Sequence, residues 1–94
     1  MDLRIESRNV AMMSHWKTAI EARMADLQDS HHDITHGRVT LTKNLHHKKA
    51  TDAAEALVVV TLPKRHTITA RKSEKTFEEA IRAAFSTVET ELQK

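Results

Sequence analysis

The sequence predicts a small α/β (α+β) domain: a four-stranded mixed sheet with both helices on one face, in the order β-α-β-β-β-α. Three observations carry this. Four segments either alternate apolar and polar residues with the two-residue period of a strand or are apolar throughout. Two longer segments repeat apolar residues at the three- and four-residue spacing of an amphipathic helix. Each helix has one apolar stripe and the sheet one clearly apolar face, so a two-layer sandwich buries all of them together.

Leu3 and Ile5 alternate with Asp2, Arg4 and Glu6, a short first strand with one buried face. Residues 9–13 lead into a helix predicted over about residues 14–28. Met13, Trp16, Ile20, Met24 and Leu27 form its stripe, and Ser14 is the expected N-cap. The polar run DSHHD, residues 29–33, ends it. Val39 and Leu41 alternate with Arg38, Thr40 and Thr42 in a second strand. NLHHKKATD, residues 44–52, reads as a polar connection. AEALVVVTL, residues 54–62, is apolar on both sides, the mark of a strand inside the sheet. Pro63 and Lys64 close a hairpin, and HTITAR, residues 66–71, returns with Ile68 and Ala70 inward. Phe77, Ile81, Ala84, Phe85, Val88 and Leu92 form the second helical stripe. Thr76 or Ser73 caps that helix, and Glu78 and Glu79 suit its electropositive first turn.

The strand-helix-strand crossover makes the first two strands parallel. The remaining pairs are antiparallel. The outer face of the sheet is then open, with Arg4, Arg38, Thr40, Thr42, Leu57, Val59, Thr67, Thr69 and Arg71 on it.

With 94 residues the chain holds one core, so residues 1–94 are read as a single domain. Its 39% apolar and 30% charged residues fit a globular protein, and one Gly and one Pro fit long regular elements. The lack of cysteine excludes disulfides, thiolate metal sites and thiol nucleophiles. No apolar run approaches the roughly 20 residues of a membrane span. The opening MDLRIES is no signal peptide, so a cytoplasmic protein without membrane attachment is expected. All three aromatics, Trp16, Phe77 and Phe85, lie on helical stripes and read as core, not as platforms for stacked bases.

Charge is unevenly spread. Residues 1–36 carry four bases and six acids, residues 37–75 nine bases and three acids, and residues 76–94 two bases and four acids. A basic block between acidic ends points to a polyanionic partner. Within it, His46, His47, Lys48 and Lys49 share one connection. Lys43, Lys64, Arg65, Arg71 and Lys72 lie nearby in the expected fold. Arginine suits bidentate phosphate contact, which makes Arg38, Arg65 and Arg71 the anchors. His31, His32 and His36 near Asp29 and Asp33 have metal-ligating chemistry. Adjacent histidines diverge in extended chain, however, and they read as surface residues with no metal or other cofactor. Nothing provides a nucleophile elbow or a Gly-rich phosphate loop, so no enzyme and no small-molecule substrate is expected.

The whole chain resembles the ribosome hibernation-promoting factor family, also called ribosome-associated translation inhibitors or sigma-54 modulation proteins. The opening MDLRIESRNVAMMSHWKTAIEARMADL resembles the family's first strand and helix. LHHKKA resembles its basic loop, and TFEEAIRAAFSTVETELQK its last helix. Ending directly after that helix, the chain resembles the short type. The resemblance implies a domain that docks on the small ribosomal subunit, against ribosomal RNA, in the channel of messenger and transfer RNA. There it would inhibit translation under stress. It also implies RNA contacts from Lys17 and Arg23 on the first helix. Glu78 stands where the family often has a tyrosine, and Asp26, Thr87 and Thr90 where it often has bases. The alternative reading is a non-ribosomal interaction module or homodimer that uses the open sheet face, with Leu57 and Val59 at its centre.

Overall fold

In the computed structural model, which describes residues 2–44 and 53–93, the element order is β-α-β-β-β-α. Strand β1 spans Asp2–Arg8, helix α1 Ser14–Ser30, β2 His36–Lys43 and β3 Ala54–Leu62. A short 3-10 turn, Pro63–Arg65, leads into β4, His66–Glu74, and α2 spans Phe77–Leu92. The sheet order is β1-β2-β3-β4, with β1 parallel to β2 and the other two pairs antiparallel.

Side-chain alternation turns this register into two faces. Leu3 and Ile5 stand beside Gly37 and Val39, and those beside Val60 and Val58. With Leu41, Ala54, Ala56 and Ala70 they face the helices. There Ile20, Met24 and Leu27 of α1 and Ile81, Ala84, Phe85 and Val88 of α2 complete the core. Gly37 leaves room for the end of the Met24 side chain: a Cβ there would lie 2.8 Å from Met24 Cε, and that flexible side chain would have to shift.

Several details differ from the sequence reading. Ser14 does not cap α1. Met13 holds the N-cap position, no side chain caps that end, and the Trp16 and Lys17 amides donate to the Met13 carbonyl at 3.1 Å each. Met13 leaves the core stripe and is 46% exposed. Helix α1 runs on to Ser30, two residues past the expected end. Strand β4 reaches Glu74 because Ser73 and Glu74 pair with Glu55 and Ala54. Ser73 is therefore no helix cap. Thr76 is, with its hydroxyl accepting from the Glu79 amide at 3.2 Å. The hairpin turn places Lys64 at φ 65°, a left-handed conformation that costs a non-glycine residue about 1–2 kcal/mol.

The open face also holds a surprise. Thr40 lies on it, between Glu6 and Leu57 in the register, yet is only 5% exposed. Its Oγ1 is buried without a hydrogen-bond partner among the described residues. An orphan hydroxyl costs about 1–3 kcal/mol, whereas an apolar group of the same shape does not carry that penalty. Thr40→Val should therefore raise unfolding stability by about 1 kcal/mol. In chemical denaturation the midpoint should rise with an unchanged slope. A lower midpoint would mean that the hydroxyl is satisfied in solution.

Candidate nucleic-acid interface

The expected basic residues are spread over both layers and both ends of the sheet. Arg38 and Arg71 are exposed on the open face. Arg38 is in the row Arg4, Arg38, Val59, Thr69, and Arg71 in the row Glu6, Thr40, Leu57, Arg71. They sit two strands, about 10 Å, apart sideways. Lys43 ends β2 and Lys64 lies in the turn after β3. The length of β3, about 26 Å, separates these two ends. Arg65 belongs to the same turn as Lys64. Lys72 is exposed on the edge strand β4 and pairs with Ala56, on the helix-bearing side. His46, His47, Lys48 and Lys49 lie outside the described residues.

On the helical layer, Lys17 and Arg23 are six residues apart, which at 100° per residue puts them about 120° apart around α1. Only Arg23 turns towards α2. A groove of about 360 Å³ between the helices is lined by Arg23, Asp26 and Ser30 of α1 and by Arg82, Ser86 and Glu89 of α2. Arg82 lies outside the basic block of the sequence. Its signal was its spacing: it sits four residues after Glu78 and seven before Glu89, on one flank of α2. In this seam polar and charged groups face each other. Its two bases are matched by two acids.

The closed end of the seam is better defined. Glu78 Oε1 accepts from Trp16 Nε1 at 3.1 Å and pairs with His15 Nε2 at 2.9 Å. An ionised carboxylate only accepts, so His15 Nε2 carries the proton. The Trp16 ring packs at 4.6 Å centroid distance on Phe77 and at 5.5 Å, edge to face, on His15. One carboxylate thus ties together the first turns of both helices. Where it sits, the positive ends of both helix dipoles favour negative charge. The Glu78 pKa is held below its ordinary 4.5, first by its own backbone amide, then by the Trp16 indole, with His15 adding to both.

Among the described residues no three His, Asp or Glu side chains gather to hold a metal ion. No described helix is long and apolar enough to cross a membrane.

A family model described as "Sigma 54 modulation protein / S30EA ribosomal protein" matches residues 3–94. No curated protein matches the chain by sequence. Among solved structures, the N-terminal domain of protein Y from Thermus thermophilus superposes with a TM-score of 0.78 at 21% identity, over 97% of this chain and 94% of that one. A ribosomal subunit interface protein from Coxiella burnetii superposes with a TM-score of 0.83 at 15% identity, over 99% and 94%. At these identities the likeness shows a shared fold.

Because the Glu78 pKa is lowered on folding, its contribution is fully present above about pH 4.5 and is lost as pH falls through the depressed value. Glu78→Gln should cost less than about 1 kcal/mol at neutral pH, since the carboxylate is 52% exposed and water screens it. At acid pH, below the depressed value, the two proteins should converge. Denaturation curves at both values check this. An equal gap at both would remove the charge from the clasp.

Proposed function

The chain belongs to the sigma 54 modulation protein / S30EA ribosomal protein family, and from that premise we propose that it binds the small ribosomal subunit through ribosomal RNA and silences translation under stress. The observation that carries this reading is the match over residues 3–94, which takes in both helices and nearly all of the sheet. The mechanism is occupancy, without a chemical step. Lysine and arginine neutralise phosphates, and the counterions released drive association. The fit of a rigid body against folded RNA supplies the selectivity, because structured RNA is read largely by shape and phosphate position.

The distribution of bases suits this mechanism. Arg23 and Arg82 on the helical layer, Arg38 and Arg71 on the open face, and Lys43 and Lys64 at opposite ends present charge in several directions. A site walled by RNA on more than one side uses such a body better than a flat surface would. Lys64 supports the reading in another way. A lysine in a left-handed turn position is less stable than a glycine, which is intelligible if its charge serves binding.

Sedimentation with purified ribosomal subunits tests the proposal. The protein should pellet with the small subunit at low salt and compete with translation ligands. If about five phosphates are contacted, log K should fall with log salt at a slope of roughly −3.5 to −4.5. Arg71→Ala should weaken binding and flatten that slope by about one unit. Replacing His46, His47, Lys48 and Lys49 by Ala should weaken binding without unfolding the protein. Lys64→Gly should weaken it too while raising stability by about 1 kcal/mol. A protein that stays in the supernatant with both subunits at low salt, yet self-associates, would overturn the ribosomal reading. It would favour an interaction module built on Leu57 and Val59.

A further inference from the structure

The open face of the sheet holds a shallow concavity of about 390 Å³. Strand β1 contributes Asp2 and Arg4, β2 His36 and Arg38, and β3 Val59 and Thr61. Arg4 and Arg38 are register partners on parallel strands, so their stems rise side by side from roots about 5 Å apart. Like charges so placed repel. Asp2 and Glu6 flank the pair on the same face, but among the described residues they hold it only slightly. Arg38 Nη2 has one long contact, 3.9 Å, with Glu6 Oε2. Neither Arg4 nor Asp2 has a side-chain hydrogen bond or ion pair among the described residues. Two guanidinium groups carry ten N–H donors, and nearly all of these lack a partner among the described residues.

His36 lies beside them, its ring hydrogen-bonded to Thr35. The Thr35 hydroxyl donates to the Thr61 carbonyl at 3.1 Å. It has one proton, so toward His36 Nδ1, also at 3.1 Å, it accepts. Nδ1 therefore carries a hydrogen, and Nε2 has no hydrogen-bond partner among the described residues. No Phe, Tyr or Trp lies on this face, so of the ring-bearing residues only the His36 imidazole is present in the concavity. What the concavity offers is a paired set of oxyanion donors over the half-buried Val59. Its volume lies at the lower end of small-molecule sites.

We propose that this concavity is a phosphate site, in which Arg4 and Arg38 clamp one phosphate group of a nucleotide and the rest of the nucleotide lies toward His36 and Val59. A phosphate between the two guanidinium groups accepts from both and removes their repulsion. Asp2 and Glu6 keep the local charge low, so the site suits a single phosphate. The site goes beyond the ribosomal reading, which shares Arg38 with it but needs neither Arg4 nor His36. The phosphate can come from a free monoester or from the diester backbone of an RNA strand.

The test is a titration of the isotopically labelled protein followed by amide correlation spectra. The probes are inorganic phosphate, a nucleoside monophosphate, the same nucleoside without phosphate, and a short hydroxyl-ended RNA. Phosphate should shift the amides of Arg4, His36, Arg38 and Val59 saturably at about millimolar concentration, and the nucleotide or the RNA should bind more tightly. A tighter nucleoside monophosphate identifies the monoester as the source, and a tighter RNA the diester. Arg4→Ala with Arg38→Ala should lower affinity at least tenfold, and so should the milder Arg38→Gln alone. Arg8→Ala, at the far end of the same face, should leave it unchanged. Shifts centred elsewhere, equal affinity in the folded variants, or equal binding of the bare nucleoside would each overturn the site. Sedimentation of Arg4→Ala alone, which spares the Arg38 that the ribosomal reading uses, tests the other proposal separately: weakened phosphate binding with ribosome binding retained leaves the ribosomal reading standing.

Discussion

The parallel pairing of β1 with β2 is the constraint on which the rest of the structure depends. A parallel pair cannot be closed by a tight turn, so the chain must return along one face before β2 begins. Helix α1 is that return. Strand β4 runs in the same direction as β1 and β2, so α2, which follows it, descends alongside α1. The helices are therefore parallel to each other, and their first turns meet at one end of the sheet. That meeting is what lets a single carboxylate, Glu78, bind Trp16 and His15 together. Both helices are committed to one face, and the other is left to Arg4, Arg38 and Arg71.

Much of this was legible in the sequence because it depends on local period. The alternation in β1 and β2, the doubly apolar β3 and the stripes of α1 and α2 each mark an element and the face it buries. The register then follows, since a slip by one residue would turn Val39, Leu41, Val58 and Val60 outward. The cap at Thr76 was legible for the same reason. Ser14 was misleading because a serine in front of a helical stripe matches the capping pattern whether or not the chain turns one residue earlier. Here Met13 takes that position.

What stayed hidden involves partners that the chain brings together from far apart. Glu78 looked like a residue suited to its own helix dipole. Its bonds to Trp16 and His15 cross between layers, and no period reveals them. Thr40 looked exposed because its alternation puts it on the open face. Its burial comes from neighbours on other strands. The basic block was visible as a total, but a total has no direction. The fold sends Arg38 and Arg71 to one face, Lys72 to the other, and Lys43 and Lys64 to opposite ends. Arg82 belongs to an acidic segment and emerges as Arg23's neighbour only when the two helices lie together.

The charges of β1 have a further meaning when the protein is considered as it is being made. Its strand partner does not exist until His36–Lys43 has been synthesised. At ~5–20 residues per second, β1 waits a few seconds as an unpaired strand in a crowded cell. Leu3 and Ile5 would make such a strand adhesive. Asp2, Arg4, Glu6 and Arg8 alternate with them and change sign at each step, which penalises pairing with most foreign strands. The nascent chain thus carries its own protection from misassembly through the interval in which no chain-mate can cover it.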